Sequence, residues 1–376
     1  MAAILGIEST AHTFGIGVVS GGKILSNVRD MYTTESGGII PTESARHHRE
    51  IADKIYAEAL SSSGIKESEI DAIAFSQGPG LAPCLLEGMK FTKELSKKLN
   101  VPIVPVNHCV AHLEIGKITG AQDPVLLYCS GANTQVIAYS SGKYRIFGET
   151  LDIGVGNFID TFARFLGVGF PGGPAIQKLA ENSNKEYIEL PYKVKGMDVA
   201  FSGIQTKLKQ LIEKMHPQNA SDIVGSKSLS ADFSLKKKDN NKIFKCLDND
   251  KIQSTDYVNS KKYSKEDLAY SLQETVFAML VEVAERALAH TEKKELLLGG
   301  GVACNSRLQE MCRIMCEERG CKFFVPPRDL LVDNGAMIAY LGEIMFVAGI
   351  KFSGKEIDNV DILPRERTDD VRVLWK

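Results

Sequence analysis

What most constrains the fold of this chain is a pattern that occurs twice. Ala3 to Glu8 is an apolar run ending in an acid, Gly15 to Ser20 is a second, and after Gly21-Gly22 extended character resumes from Lys23 to Arg29. From Pro124 the plan repeats. Val125 to Cys129 is an apolar run, Ser130-Gly131-Ala132-Asn133 a tight loop, Thr134 to Ser140 a second run, Ser141-Gly142 a turn, and Tyr144 to Glu149 a third run. Short apolar runs punctuated by Gly turns read as strands joined in hairpins. Helical signal follows each copy: Glu43 to Leu60 carries Ile51, Ile55, Ala59 and Leu60 at helical spacing, and Leu85 to Leu99 and Asp267 to His290 read as helices too.

A strand-rich start followed by helices, given twice, predicts two related α/β units facing each other across a cleft. That is the duplicated architecture of actin-like (ribonuclease H-like) ATPases; an ordinary doubly wound sheet is the alternative. The 376 residues suit two domains. Asp71 to Ser76 and Glu295 to Leu298 read as short buried strands, and Val101 to Val106, with Pro102 and Pro105, as a short or peripheral one. Asp333 to Ala348 reads as a helix opened by Asp333. The stretch from about Ile212 to Lys262, with Lys236-Lys237-Lys238, reads as a polar surface insertion whose lysines are either solvated or touch RNA phosphates.

A net charge of -2 means that any nucleic-acid binding rests on a local basic patch or a basic partner. The eight Cys form no CxxC pair, which fits reduced thiols. No stretch approaches membrane-span length and the N-terminus shows no secretory pattern, so a cytoplasmic protein is expected.

The chemistry-bearing residues begin with His108-Cys-Val-Ala-His112, two imidazoles one helical turn apart on one face. One metal ion can bridge that spacing, though incidental histidines share it, and the Glu of a metalloprotease HExxH is missing. Asp333 is the best oxygen donor to join them, with helix N-cap as its bland role. Tyr128, at a strand end, would add a phenolic oxygen or else be a half-buried Tyr with a satisfied hydroxyl. Gly-rich loops at Ser130–Thr134, Phe170–Pro174 and Gly299–Ala303 each follow a strand and suit phosphate, although Gly is common in turns. Asp152, Asn157, Asp160 and Asn305 lie between these loops as ribose-binding or capping residues. Glu8 and His12 follow the first strand, where actin-like enzymes place acids near phosphates. His47-His48 read as part of a solvated helical face.

Leu-Gly-Ile-Glu-Ser-Thr-Ala-His-Thr-Phe-Gly, Asn-His-Cys-Val-Ala-His, Ser-Gly-Ala-Asn-Thr-Gln-Val, Gly-Phe-Pro-Gly-Gly-Pro and Gly-Gly-Gly-Val-Ala-Cys-Asn, in this order, resemble the universal tRNA threonylcarbamoyltransferase family, formerly called O-sialoglycoprotein endopeptidase. The wording around His108 and Met197 to Gly203 resembles its archaeal and eukaryotic branch, the catalytic subunit of the KEOPS complex. The resemblance spans about residues 3 to 350, apart from the insertion.

It implies an actin-like fold whose lobes are residues 1–120 plus about 325–376, and 121–324. It implies transfer of threonylcarbamoyl from threonylcarbamoyl-adenylate to the adenosine 3′ of the anticodon in tRNAs reading ANN codons, with release of AMP. His108, His112, Tyr128 and Asp333 match the ligands of one divalent metal, Fe or Zn. Tyr128, Cys129, Ser130, Gly131 and Ala132, with Asp160, Gly173 and Asn305, match the positions that bind the adenine nucleotide. Gln177 falls where this branch has a Glu contacting ribose; an amide keeps a hydrogen bond but not the charge. Ala132 replaces a usual Gly. The partners implied are tRNA, a small kinase-like ATPase, a dimerising subunit and a regulatory subunit. The rivals are an actin-like ATPase or small-molecule kinase, which needs Mg²⁺ carboxylates and a phosphoacceptor, and a non-catalytic nucleotide-binding scaffold.

Overall fold

The computed structural model describes residues 2–34, 38–215 and 263–376. The first half contains β1 (Ala3–Glu8), β2 (Thr13–Ser20), β3 (Lys23–Met31), α1 (Pro41–Ser63), β4 (Ala72–Gly78), α2 (Ala82–Leu99), β5 (Ile103–Asn107) and α3 (His108–Ile115). The second begins with β6 (Val125–Cys129), β7 (Thr134–Ser140), β8 (Lys143–Glu149), α4 (Val155–Phe165) and α5 (Gly173–Glu181). It continues with β9 (Val194–Lys195), β10 (Asp198–Val199), α6 (Ser202–Met215), α7 (Lys265–Thr291), β11 (Glu295–Gly299), α8 (Ser306–Glu318) and β12 (Lys322–Phe324). Then come α9 (Arg328–Leu331) and α10 (Gly335–Val347).

The repeat read from sequence becomes two five-stranded sheets of the same topology, β3-β2-β1-β4-β5 and β8-β7-β6-β11-β12. In each, a hairpin packs antiparallel on the first strand and two further strands extend the other side in parallel. The Gly21-Gly22 turn has φ of 60° and 72°, the left-handed backbone a tight hairpin needs. β5 is an edge strand, where Pro105 removes no interior ladder bond; Pro102 falls just before it.

Three apolar cores alternate with the sheets. One lies between α1, α2 and the first sheet, with Ile55, Tyr56, Phe75 and Leu95. A second holds α3 and α10 between the two sheets, joining Val104 and Val106 to Leu126 and Leu297. A third packs α4, α6, α7 and α8 on the outer face of the second sheet, around Phe158, Phe201, Phe277 and Leu308. The helix bearing His108 and His112 is thus clamped between both sheets. This explains why all eight of its residues are buried, against the amphipathic norm.

α10 seats by direct backbone approach. A Cβ on Gly17 would lie 2.3 Å from Ala336 N, and one on Gly6 2.2 Å from Ala339 N. Small residues let the helix drop onto β1 and β2, and that close seat fixes where its N-terminus points.

Three sequence expectations change. Asn334, not Asp333, caps α10: its side chain accepts from Met337 N. His47 and His48 are not on a solvated face. His48 falls on the stripe Ser44, Ala45, His48, Ala52, Ile55 that α1 turns inward, so it is fully buried, while His47 is half-buried with Nε2 2.9 Å from Asp30 Oδ1. Residues 212–215, taken as the start of the insertion, close α6, with Ile212 in the core. The remainder of the expected insertion, including Lys236-Lys237-Lys238, lies outside the described residues.

Candidate functional site

α3 begins at His108, directly after β5, so both histidines project from the first turns of a helix whose start is fixed by the strand. Four residues of spacing put their rings 4.8 Å apart. Both Nε2 atoms face one carboxylate oxygen: Asp333 Oδ1 is 3.4 Å from His108 Nε2 and 3.3 Å from His112 Nε2. The donor atoms of His108, His112 and Asp333 lie within 4.8 Å of one another. Asn334 takes over the capping of α10, and that frees the Asp333 carboxylate to turn inward.

The far side of His108 is held by Glu8, whose Oε2 is 3.0 Å from Nδ1. The other Glu8 oxygen accepts from Thr10 N at 2.7 Å and Thr10 Oγ1 at 2.5 Å. A carboxylate on Nδ1 selects the tautomer that leaves Nε2 as a lone-pair donor, as in carboxylate–histidine–metal arrangements. Sequence reading put Glu8 near phosphates and missed this contact. No local signal announces a pair one hundred residues apart.

Burial alone would lower the basicity of His108, but Glu8 and then Asp333 overturn that and hold it well above the usual imidazole range. Burial pushes His112 down, with the His108 charge acting in the same direction and Asp333 opposing. Burial would raise Asp333, yet the two imidazoles hold its carboxyl well below the usual carboxylate range.

Tyr128 closes the group. It lies near the end of β6, is 0% exposed, and its ring centre is 5.0 Å from that of His112. Its hydroxyl has no hydrogen-bond partner of normal geometry among the described residues, although Ser130 and Cys109 are neighbours. The satisfied, half-buried Tyr is therefore not what forms. An orphaned buried hydroxyl is costly without a partner, so its place beside three nitrogen and oxygen donors fits a cation bound there. Two imidazoles, a carboxylate and a phenol form a donor set suited to one transition-metal ion.

The remaining predicted residues gather around the C-terminal ends of β6 and β11, which are parallel neighbours with Tyr128 opposite Gly299. Ligands favour such strand ends. The loop Ser130–Asn133 is closed by Ser130 N donating to Asn133 O at 2.8 Å, and the α4 amides of Gly156 and Asn157 donate to Ser130 O and Gly131 O. Gly300, at φ 87°, lies against Cys129, where a Cβ would come within 2.4 Å of Cys129 O. The Cys129 thiol faces the outer core, so only its backbone lies at the loop. Asp160 Oδ1 accepts from Gly172 N at 2.8 Å, tying α4 to the loop before Gly173, and burial raises its pKa. Gln177 donates to Ser306 Oγ at 3.1 Å and Glu181 at 2.9 Å, which joins α5 to the start of α8. Asn305 caps α8 through Arg307 N and Leu308 N, and its amide donates to Gln273 Oε1. Ala132 lies in the Ser130–Asn133 loop beside Gly154, whose Cβ would fall 2.5 Å from Ala132 O. Capping is realised most fully at Asp152, which collects Ile153 N, Phe201 N and Ser202 N. Gln273, a buried partner that fixes the Asn305 amide, was not anticipated from sequence.

Residues 23–340 match the family described as TsaD, tRNA N6-adenosine threonylcarbamoyltransferase. The chain is 50% identical over 371 residues to a tRNA N6-adenosine threonylcarbamoyltransferase of Thermococcus kodakarensis, covering 99% of each. It is 46% identical over 380 residues to a probable tRNA N6-adenosine threonylcarbamoyltransferase of Drosophila melanogaster, covering 100% of this chain and 99% of that one. Among solved structures, T. kodakarensis HypF superposes with a TM-score of 0.53 at 14% identity, over 95% of this chain and 48% of that one, a likeness of fold alone.

Proposed function

Since the chain belongs to the tRNA N6-adenosine threonylcarbamoyltransferase family, we propose that the donor-lined recess between α3 and α10 is where its transferase chemistry is set up. Its fold is the duplicated actin-like α/β fold, and its activity is transfer of a threonylcarbamoyl group to an adenosine N6 in tRNA. The donor we propose is threonylcarbamoyl-adenylate, with AMP as leaving group and the adenosine 3′ of the anticodon in ANN-reading tRNAs as acceptor.

One observation supports the chemistry above the others: the donor atoms of His108, His112 and Asp333 lie within 4.8 Å of one another, with the ring of Tyr128 against His112 and its hydroxyl without a partner of normal geometry among the described residues. These four residues would hold one divalent ion, zinc or iron. Such an ion, when bound, supplies Lewis-acid stabilisation of negative charge on donor oxygens. Glu8 keeps His108 in a single orientation, and Asp333 supplies the anionic charge that the two imidazoles do not carry. Tyr128, Cys129, Ser130, Gly131 and Ala132 would pass the adenylate along their backbone. Asp160, Gly173, Gln177 and Asn305 would flank its nucleoside end. Gln177, held by Ser306, offers an amide where a carboxylate would carry charge. The exocyclic amine of adenosine is a weak nucleophile, so catalysis here rests on positioning and on charge stabilisation in a dry recess.

We divide the chain into a lobe of residues 1–120 with about 325–376 and a lobe of 121–324; the seat of α10 on β1 and β2 supports this. KEOPS-type partners are proposed: a small kinase-like ATPase, a dimerising subunit and a regulatory subunit. The near-neutral net charge supports tRNA affinity shared among subunits. No described helix is long and apolar enough to cross a membrane, and we place the protein in the cytoplasm. The test is reconstitution with threonylcarbamoyl-adenylate, tRNA and candidate partners. Modified nucleoside is the expected product; ATP turnover with no transfer to tRNA would favour the ATPase alternative.

A further inference from the structure

We propose that Glu366 is a positioning residue for the His108–His112 centre, acting through the side chain of Asn107. The inference rests on the metal centre described above and extends it to the segment that follows α10.

α3 starts with His108, so the residue that caps it sets the backbone from which the first imidazole hangs. That residue is Asn107, at φ -76° and ψ 122°, whose Oδ1 accepts from Val110 N at 3.1 Å. An Asn side chain presents an oxygen on one face and an NH₂ on the other, and turned over it would direct donors at the helix's free N–H groups. Glu366 decides the orientation: Asn107 Nδ2 donates to Glu366 Oε2 at 2.8 Å. A carboxylate accepts only, so the NH₂ is held toward it and Oδ1 is aimed at Val110. The pair is largely shielded, with Asn107 6% exposed, where losing one partner is costly.

Glu366 is itself fixed from both halves of the protein. Before it, Leu363 N donates to Gln77 O at 2.8 Å, near the end of β4 in the first sheet, and Gly80 N, just after that strand, donates to Pro364 O at 3.2 Å. After it, Arg367 Nη2 lies 3.3 Å from Glu149 Oε1, and Thr368 Oγ1 lies 3.4 Å from Gln135 Oε1, both on the second sheet. The segment therefore ties the start of the histidine-bearing helix to the opposite sheet, with Glu366 at the point of contact.

The test is Co²⁺ titration of the full chain followed by its visible absorption, with no substrate present. Loss of an outer partner of a metal site costs roughly 10–100-fold in affinity. Glu366→Ala is expected to weaken Co²⁺ binding by about tenfold or more, within that range. Glu366→Gln, whose carbonyl still accepts from Asn107, is expected to stay close to the parent. Asn107→Asp keeps a capping oxygen but meets Glu366 with like charge, and is expected to weaken binding. Asn107→Asp combined with Glu366→Gln reverses the hydrogen bond and is expected to restore it. Parent-like affinity in Glu366→Ala, or equal losses in both Glu366 variants, overturns the proposal. Should Glu366→Ala not fold, absence of rescue in the reversed pair overturns it. Failure of the parent to bind Co²⁺ more tightly than His108→Ala/His112→Ala overturns the metal centre itself, and this proposal with it.

Discussion

The Glu8 carboxylate and the His108 ring, one hundred residues apart in the chain, meet at 3.0 Å between Oε2 and Nδ1. Both are buried, at 0% and 5% exposure. Glu8 gains its fixed orientation from Thr10, which donates both its N–H and its hydroxyl to the other oxygen. The contact makes the loop after β1 part of the proposed metal centre. Glu8→Gln removes the charge but leaves the volume, so His108 loses both its enforced tautomer and its added basicity. Metal affinity, read by equilibrium dialysis with zinc, is expected to fall by about 10–100-fold, and the metal-free protein, which loses the buried carboxylate that raises His108, is expected to melt at lower temperature. Unchanged zinc affinity would reduce Glu8 to a packing role.

Asp333 and Asn334 divide two tasks that one residue could have been asked to do, and substitutions separate them. Asn334→Ala removes the acceptor for Met337 N, and loss of such a cap costs about 1 kcal/mol. Denaturant unfolding should report that loss, with metal affinity lowered only through looser seating of α10. Asp333→Asn keeps the cap and the shape but removes the charge between two imidazoles. Zinc binding and transfer of threonylcarbamoyl are expected to be lost together, with secondary structure intact by circular dichroism. Should the two variants reverse these effects, the assignment of the cap to Asn334 fails.

The strand repeat was legible because it is local: Gly21-Gly22 and Ser141-Gly142 mark turns whatever surrounds them. The helical spacing of His108 and His112 was legible for the same reason, and Asp333 was recognised as a donor. Which of two adjacent residues caps α10 was not, because Asp333 and Asn334 are equally good caps in isolation. The choice is made by the seat of Gly335 on β2, where a Cβ would lie 2.3 Å from Gly17 N. The burial of His48 was missed because α1 is polar enough overall for either face to pass as the wet one. Glu8–His108 and Glu366–Asn107 are products of tertiary folding and leave no short-range mark.

His48 makes folding sensitive to acid. Burial, reinforced by the neighbouring His47, pushes its pKa down from 6.5 to about 4. Neither ring nitrogen has a partner of normal geometry among the described residues. The folded protein keeps this ring neutral while the unfolded chain protonates it below pH 6.5, so the unfolded state binds more protons in that window. Stability therefore falls as the pH drops from 6.5 toward 4, by about 2 kcal/mol at pH 5 from this one group. His48→Leu, which costs no well-formed hydrogen bond, is expected to flatten that part of the profile. Urea unfolding at pH 7 and pH 5 measures it: parent and variant should differ in their pH dependence by roughly that amount, and equal slopes would sink the claim.

Tyr128 supplies the sharpest separation between a packed phenol and a ligand, because the two roles predict opposite signs. In metal-free protein its hydroxyl is buried with no partner of normal geometry among the described residues, a condition that costs about 1–3 kcal/mol. Tyr128→Phe deletes the oxygen and keeps the ring beside His112, so the metal-free variant should unfold at higher denaturant than the parent. With zinc present the order should reverse, since the parent gains stability from a ligand oxygen that the variant lacks, and ligand-linked stabilisation follows occupancy. Paired melts with and without zinc give the result. A variant more stable than the parent under both conditions would show that the phenol takes no part in holding the ion. Three donors, His108, His112 and Asp333, would then make up the protein's share of the centre.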